Sequence, residues 1–144
     1  MAAVSQELDQ DECRRLIAGG GVGRVAFRGE QGLHIVPVNF TVDGDSIFFR
    51  TAPYSELGEH GAGTSVAFEV DHFDLESKSG WSVVAKGSLH VVSDPAELAA
   101  VRLGADPEPW AEGVRRLYFR LTWRELTGRR LPPAAPQTEG DTRG

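Results

Sequence analysis

An arginine beside a hydroxyl ends the apolar run Ile47-Phe48-Phe49-Arg50-Thr51, and that pair is suited to holding a phosphate. A guanidinium presents a planar fork of donors, and a neighbouring hydroxyl and backbone amides complete the cradle. Asn39 lies among apolar neighbours in Pro37-Val38-Asn39-Phe40. Its amide can donate to a ring carbonyl and accept from a ring N–H. Trp81-Ser82 pairs an aromatic face for stacking with a hydroxyl for a phosphate. Each has a plainer account: a strand-end ion pair for Arg50, a satisfied backbone group for Asn39, a core position for Trp81.

Other chemistry is weaker. His34, His60, His72 and His90 do not fall into metal-ligand spacing. Asp71, His72, Asp74 and Glu76 form an acidic cluster that strand alternation splits between two faces, as a solvated turn would. No serine sits in a nucleophile elbow. Gly19-Gly20-Gly21-Val22-Gly23-Arg24 follows a helix and opens a strand, the reverse of a dinucleotide-binding loop. Cys13 is the single cysteine, flanked by both acids and arginines, and reads as a helix residue.

The elements that must position these residues are mostly strands. Asp9 and Glu12 form a capping-box start for a first helix, and Gly19-Gly20-Gly21 ends it. Strands are expected at Val22–Arg28, Leu33–Val42, Ser46–Thr51, Ser65–His72 and Trp81–Ser93, with Asp43-Gly44 as a hairpin turn. A short helix plus loop fits Pro53–Gly63. Along Trp81–Ser93, the residues Trp81, Val83, Ala85, Gly87, Leu89 and Val91 share one face. Asp94-Pro95 opens a further helix, and Trp110–Arg116 reads as a short one. Leu117, Phe119, Leu121 and Trp123 alternate with polar residues as in a half-buried strand. Residues 1–131 form one domain, and the Pro-rich 132–144 is expected to be a disordered tail. The pattern predicts a closed or split antiparallel β-barrel with short flanking helices, with a Greek-key sandwich as the competing architecture.

The 144 residues carry a formal net charge of −6. An acidic chain without a basic stripe is not expected to bind nucleic acid, and any phosphate must be held by local donors. There is no signal-peptide pattern and no apolar run long enough to span a bilayer, so a cytoplasmic, membrane-free protein is expected.

Six segments occur in an order that resembles one family: 23–27, 36–40, 49–52, 68–71, 80–87 and 127–130. The chain is similar, over about residues 8–131, to the flavin-binding split-barrel proteins of the pyridoxamine 5′-phosphate oxidase-like superfamily. Within it, the resemblance is to a small actinobacterial branch related to nitroimidazole-resistance proteins. That resemblance implies a homodimer with FMN in a groove at the interface, and flavin-dependent oxidoreductase chemistry on a small molecule. It implies that Val38, Asn39 and Phe40 edge the flavin ring and that Arg50 and Thr51 hold its phosphate. Trp81 and Ser82 would add ring or phosphate contacts, from their own or the partner chain, and Arg129 near the C-terminus is a further candidate. The chain departs from the family at Pro53-Tyr54-Ser55-Glu56-Leu57, where Glu56 replaces an expected lysine. Three outcomes follow from that anion: weaker FMN binding, compensation by Ser55 and another arginine, or a different ligand such as a deazaflavin. A non-enzymatic flavin carrier and a cofactor-free dimer are the corresponding alternatives.

Overall fold

The computed structural model describes residues 3–104, 106–110 and 113–133. Helix α1 (Gln10–Ile17) begins as expected: Asp9 is its N-cap, and its carboxylate accepts from the Glu12 amide at 2.9 Å. Cys13 and Ile17, one turn apart, bury the apolar side of this helix. It packs where Gly128 leaves room, since a Cβ there would lie 2.8 Å from the Cys13 sulfur. Burial pushes the Cys13 thiol above its ordinary range, helped by the charge of Asp9, so the thiol is a packing group.

The rest is an antiparallel sheet that closes on itself. A two-residue strand β1 (Gln6–Glu7) precedes the helix and pairs with the end of the chain, a contact its length hides from the sequence. Then come β2 (Gly21–Gly29), β3 (Gly32–Asp43) and β4 (Ser46–Thr51). Helix α2 (Glu56–His60), β5 (Ser65–Asp74), β6 (Ser79–Val91), α3 (Pro95–Gly104) and β7 (Leu117–Leu131) follow. The strand order is β1-β7-β4-β3-β2-β5-β6, and β6 also pairs with β7, which completes the ring. The sandwich alternative is thereby set aside.

Strand alternation fills the interior. Val25, Phe27, Phe40, Phe49, Phe68, Val83, Ala85, Leu89, Phe119 and Leu121 point inward as one apolar cluster. Strand β7 outruns the sequence expectation because a bulge lets it bend: Lys86 faces Glu125 while Gly87 faces Trp123, leaving Arg124 as the extra residue. Gly87 is required there, since a Cβ would fall 2.3 Å from the Thr122 carbonyl oxygen.

Two expectations need correction or lie outside the description. Trp110 and residues 113–116 are irregular rather than helical, with Pro107 and Pro109 just upstream disfavouring a helix start; 111–112 are not among the described residues. Of the tail, Pro132 and Pro133 continue beyond β7, and 134–144 lie outside the described residues.

The ring is incomplete in two places. The β3–β4 ladder runs only from Phe40 opposite Phe49 to Asp43 opposite Ser46. The β2–β5 ladder holds only Arg24, Val25 and Ala26 against Glu69, Phe68 and Ala67. Beyond those pairs the β2–β3 hairpin projects as a two-stranded finger, with a cleft on each side.

Candidate functional site

The first cleft, about 240 Å³, opens where β3 and β4 part. One wall is Val36, Pro37, Val38 and Asn39 of β3; the other is Arg50 and Thr51 at the end of β4, with Ser55, Glu56 and Leu57 of the α2 start. Five of the residues singled out from sequence therefore meet in one cavity: Val38, Asn39, Arg50, Thr51 and Ser55. Ser55 caps α2, its hydroxyl accepting from the Gly58 amide at 3.0 Å and donating to the Ala52 carbonyl at 2.7 Å. The Thr51 hydroxyl sits 2.9 Å from it.

Arg50 is held from three sides. Its Nε donates to the Arg115 carbonyl at 2.9 Å, its Nη1 lies 3.6 Å from Asp106, and its guanidinium stacks 4.8 Å from the Tyr118 ring centroid. The Tyr118 hydroxyl donates to Asp106 at 3.0 Å. The Asn39 side-chain oxygen accepts from the Trp110 amide at 2.9 Å. Both polar groups proposed from sequence are thus engaged by the α3–β7 connection, which lies across the cleft. That connection carries no motif by which it could be anticipated.

His34 and Glu56 complete the lining. The imidazole stacks on Phe27 with centroids 5.2 Å apart, and its Nε2 faces Glu56 Oε1 at 3.6 Å, too far for a hydrogen bond. Among the described residues, this Nε2 is the buried side-chain atom left without a hydrogen-bond partner. The same Glu56 oxygen accepts from the Glu30 amide at 2.9 Å, so the turn of the finger absorbs part of its charge. A signal for His34 existed: it shares the inward parity of Val36, Val38 and Phe40, where a polar residue is out of place.

Four sequence candidates lie elsewhere. Phe40 is 2% exposed, edge-on to Phe68 at 5.2 Å, so its side chain belongs to the core and not to the cleft; its parity places it inward. Trp81 and Ser82 sit on β6, separated from β3 by β2 and β5, and strand alternation turns them to opposite faces. Trp81 packs against the core and borders a separate groove with His72 and Arg130. Ser82 faces Arg129 on β7 in register.

The second cleft, about 420 Å³, lies on the β2 side of the finger. Phe27 lines both clefts. Its other walls are Ala26, Leu33, Val66 and Ala67, with Arg28, Lys86 and Arg124 around them.

The outer face of the sheet is apolar near the finger. Leu33 and Ile35 are 77% and 70% exposed, and Ile35, Ala26 and Ala67 stand in one row. Beside them Arg24 reaches Glu69 at 2.9 Å and Asp71 at 2.8 Å. Burial, and a hydrogen bond that its protonated form donates to Asp71, push the Glu69 carboxyl up to about 7 against the pull of Arg24. Among the described residues no group of metal-binding side chains is found, and no helix is long and apolar enough to cross a membrane.

The comparisons agree with this architecture. The profile of the family described as pyridoxamine 5′-phosphate oxidase matches residues 9–130. An uncharacterised protein of Mycobacterium tuberculosis is 38% identical over 130 residues, 87% of this chain and 84% of its own length. The structure of an FAD binding protein from Mycobacterium smegmatis superimposes with a TM-score of 0.70 at 27% identity, covering 90% of this chain and all of that one. A candidate pyridoxamine 5′-phosphate oxidase of Corynebacterium glutamicum gives a TM-score of 0.76 at 28% identity, covering 94% and 99%.

Proposed function

Because the chain belongs to the pyridoxamine 5′-phosphate oxidase family, with its split-barrel fold, we propose that its first cleft binds the flavin FMN in an oxidoreductase acting on a small molecule. The observation that carries this reading is the meeting of Val38, Asn39, Arg50, Thr51 and Ser55 in one cavity. The donor set fits such a group. Val36, Pro37 and Val38 offer apolar edges to a planar ring, and the Asn39 amide can pair with a ring edge. Arg50, with the hydroxyls of Thr51 and Ser55, would hold the phosphate. Glu56 is turned to the Glu30 amide, which limits its repulsion of an anion. The orphaned His34 Nε2 offers whatever binds one proton donor or acceptor, a role for which the sequence suggested no residue. The flavin would supply the electron transfer; these side chains would bind, orient and shield it.

The active unit in this reading is a homodimer. A cavity of about 240 Å³ is small against the roughly 300–1,000 Å³ of typical small-molecule sites, as expected if a second copy supplies a wall. The exposed Ile35, in one row with Ala26 and Ala67, suits self-association. Trp81, Ser82 and Arg129 would then serve the partner's cleft rather than their own. The FAD-binding relative from M. smegmatis favours a second reading, in which the larger flavin FAD is the natural occupant.

The test is the visible spectrum of the purified protein, followed by titration with FMN, FAD and a deazaflavin cofactor. Saturable FMN or FAD binding supports the flavin reading, and turnover with a reduced nicotinamide supports the oxidoreductase. A colourless protein that binds none of them would sink both and leave a cofactor-free dimer. Flavin binding without turnover would leave a carrier.

A further inference from the structure

We propose that the second cleft is a separate binding site for an organic phosphate, with Arg28, Lys86 and Arg124 as its anion-binding groups and Phe27, Leu33 and Val66 as its apolar wall. The assignment goes beyond the flavin reading and does not depend on it.

Its first support is position. The cleft exists because β2 and β5 part after Ala26 and Ala67, which leaves Phe27 and Arg28 on one lip and Ser65 and Val66 on the other. Cations from β2, β6 and β7 reach the same opening: Arg28, Lys86 and Arg124. Arg124 stands at the bulge. It is the residue without an opposite number on β6, and with Glu125 it makes two successive exposed side chains on a strand that otherwise alternates around them.

The second support is the state of the charges. The chain is acidic overall, and six of its twelve described arginines are ion-paired: Arg14 with Asp45, Arg15 with Glu12, Arg24 with Glu69 and Asp71, Arg50 with Asp106, Arg120 with Glu97, Arg130 with Glu12. Among the described residues the side chains of Arg28 and Arg124 have no hydrogen bond or ion pair. Lys86 lies 3.7 Å from Glu125, with both side chains largely exposed, a contact that solvent weakens. Glu125 is the anion beside the group, so the cleft carries a net positive charge in a negative molecule. Two free guanidiniums and an ammonium around an opening suit a multiply charged phosphate. Phe27, Leu33 and Val66 give an apolar body on the same molecule a surface to cover.

The cleft borders the face assigned to self-association, so binding is read on the full chain in its own oligomeric state. Calorimetric titration uses inorganic pyrophosphate and ADP as probes. Both should bind, ADP more tightly because of its apolar contact. The double variant Arg28→Gln with Arg124→Gln should lose roughly tenfold affinity for each guanidinium removed, with its melting temperature unchanged. Lys86→Gln alone should weaken binding by less, and Arg50→Ala should leave pyrophosphate binding as it was. The assignment is overturned by any of four results. These are no pyrophosphate binding, a loss seen only with Arg50→Ala, equal weakening when Arg102 of α3, which stacks on Tyr118 and does not line the cleft, is neutralised, or ADP binding no better than pyrophosphate.

Discussion

On one side of the β2–β3 finger, Arg50 is fixed by the Arg115 carbonyl, Asp106 and the Tyr118 ring; on the other, Arg28 and Arg124 point into their cleft without a partner among the described residues. A fixed guanidinium is already oriented, so little rotamer entropy is lost when a ligand arrives. It is also partly neutralised, so its attraction at a distance is small. Free guanidiniums behave the opposite way: they attract more strongly and must be ordered on binding. The first cleft is therefore built for geometric recognition, with Asn39 and His34 adding direction, and the second for charge. Salt should weaken ligands of the second cleft more than those of the first.

The largest expected effect falls on the first cleft. In the proposed flavin site, Arg50→Ala would remove a charge-assisted contact to the phosphate and should lower FMN affinity by roughly 10- to 100-fold. Unchanged affinity in that titration would remove the phosphate from this cleft and erase the contrast. Next comes Gly87→Ala, aimed at the bulge where Arg124 stands. A Cβ 2.3 Å from the Thr122 carbonyl forces the strands apart, and the folded state should lose about 1–3 kcal/mol in a denaturant titration. Wild-type stability would mean the bulge is not pinned by the glycine.

Much of the barrel was legible in the sequence, because alternation has a physical cause that leaves a mark at each residue. Val66, Phe68 and Val70 had to face one way for β5 to be half-buried, and they do. The cap at Asp9 and the hairpin at Asp43-Gly44 were equally readable, since both depend on local chemistry. What was hidden is where neighbouring strands part, since a ladder that stops after Phe40 and Phe49 looks, along each strand, like one that continues. The clefts come from those endings. For that reason Arg50 could be singled out while its partners Asp106 and Tyr118 could not, and Arg124 looked like an ordinary surface position. Phe40 stays in the core for the same reason: it faces Phe49 as the first pair of the β3–β4 ladder, whereas Val38, of the same parity, lies beyond that ladder and lines the cleft.

Two smaller effects sharpen the contrast. Glu56→Lys places a cation beside the first cleft and gives up the tie to the Glu30 amide; FMN affinity should rise by roughly threefold to tenfold, as one partly exposed charge allows. No gain in a fluorescence titration would show that Glu56 does not face the phosphate. The last effect concerns the face beside the second cleft. Glu69 titrates near 7 in the folded chain, above its ordinary value, so its contribution is complete below the usual carboxylate range and is lost as pH rises through about 7. Covering that face with a second copy deepens the burial that favours the protonated form, so self-association should weaken between about pH 6 and pH 8. Sedimentation across that window checks it; a dimer that tightens with pH would place Glu69 outside the interface.

The division of labour between the clefts is tested most directly by titrating pyrophosphate into the protein before and after saturation with FMN. Two sites predict a pyrophosphate affinity that FMN leaves within about twofold, and a pyrophosphate response that Arg28→Gln with Arg124→Gln removes while FMN still binds. Loss of pyrophosphate binding once FMN is present would contradict the account, because a single phosphate site would then serve both molecules.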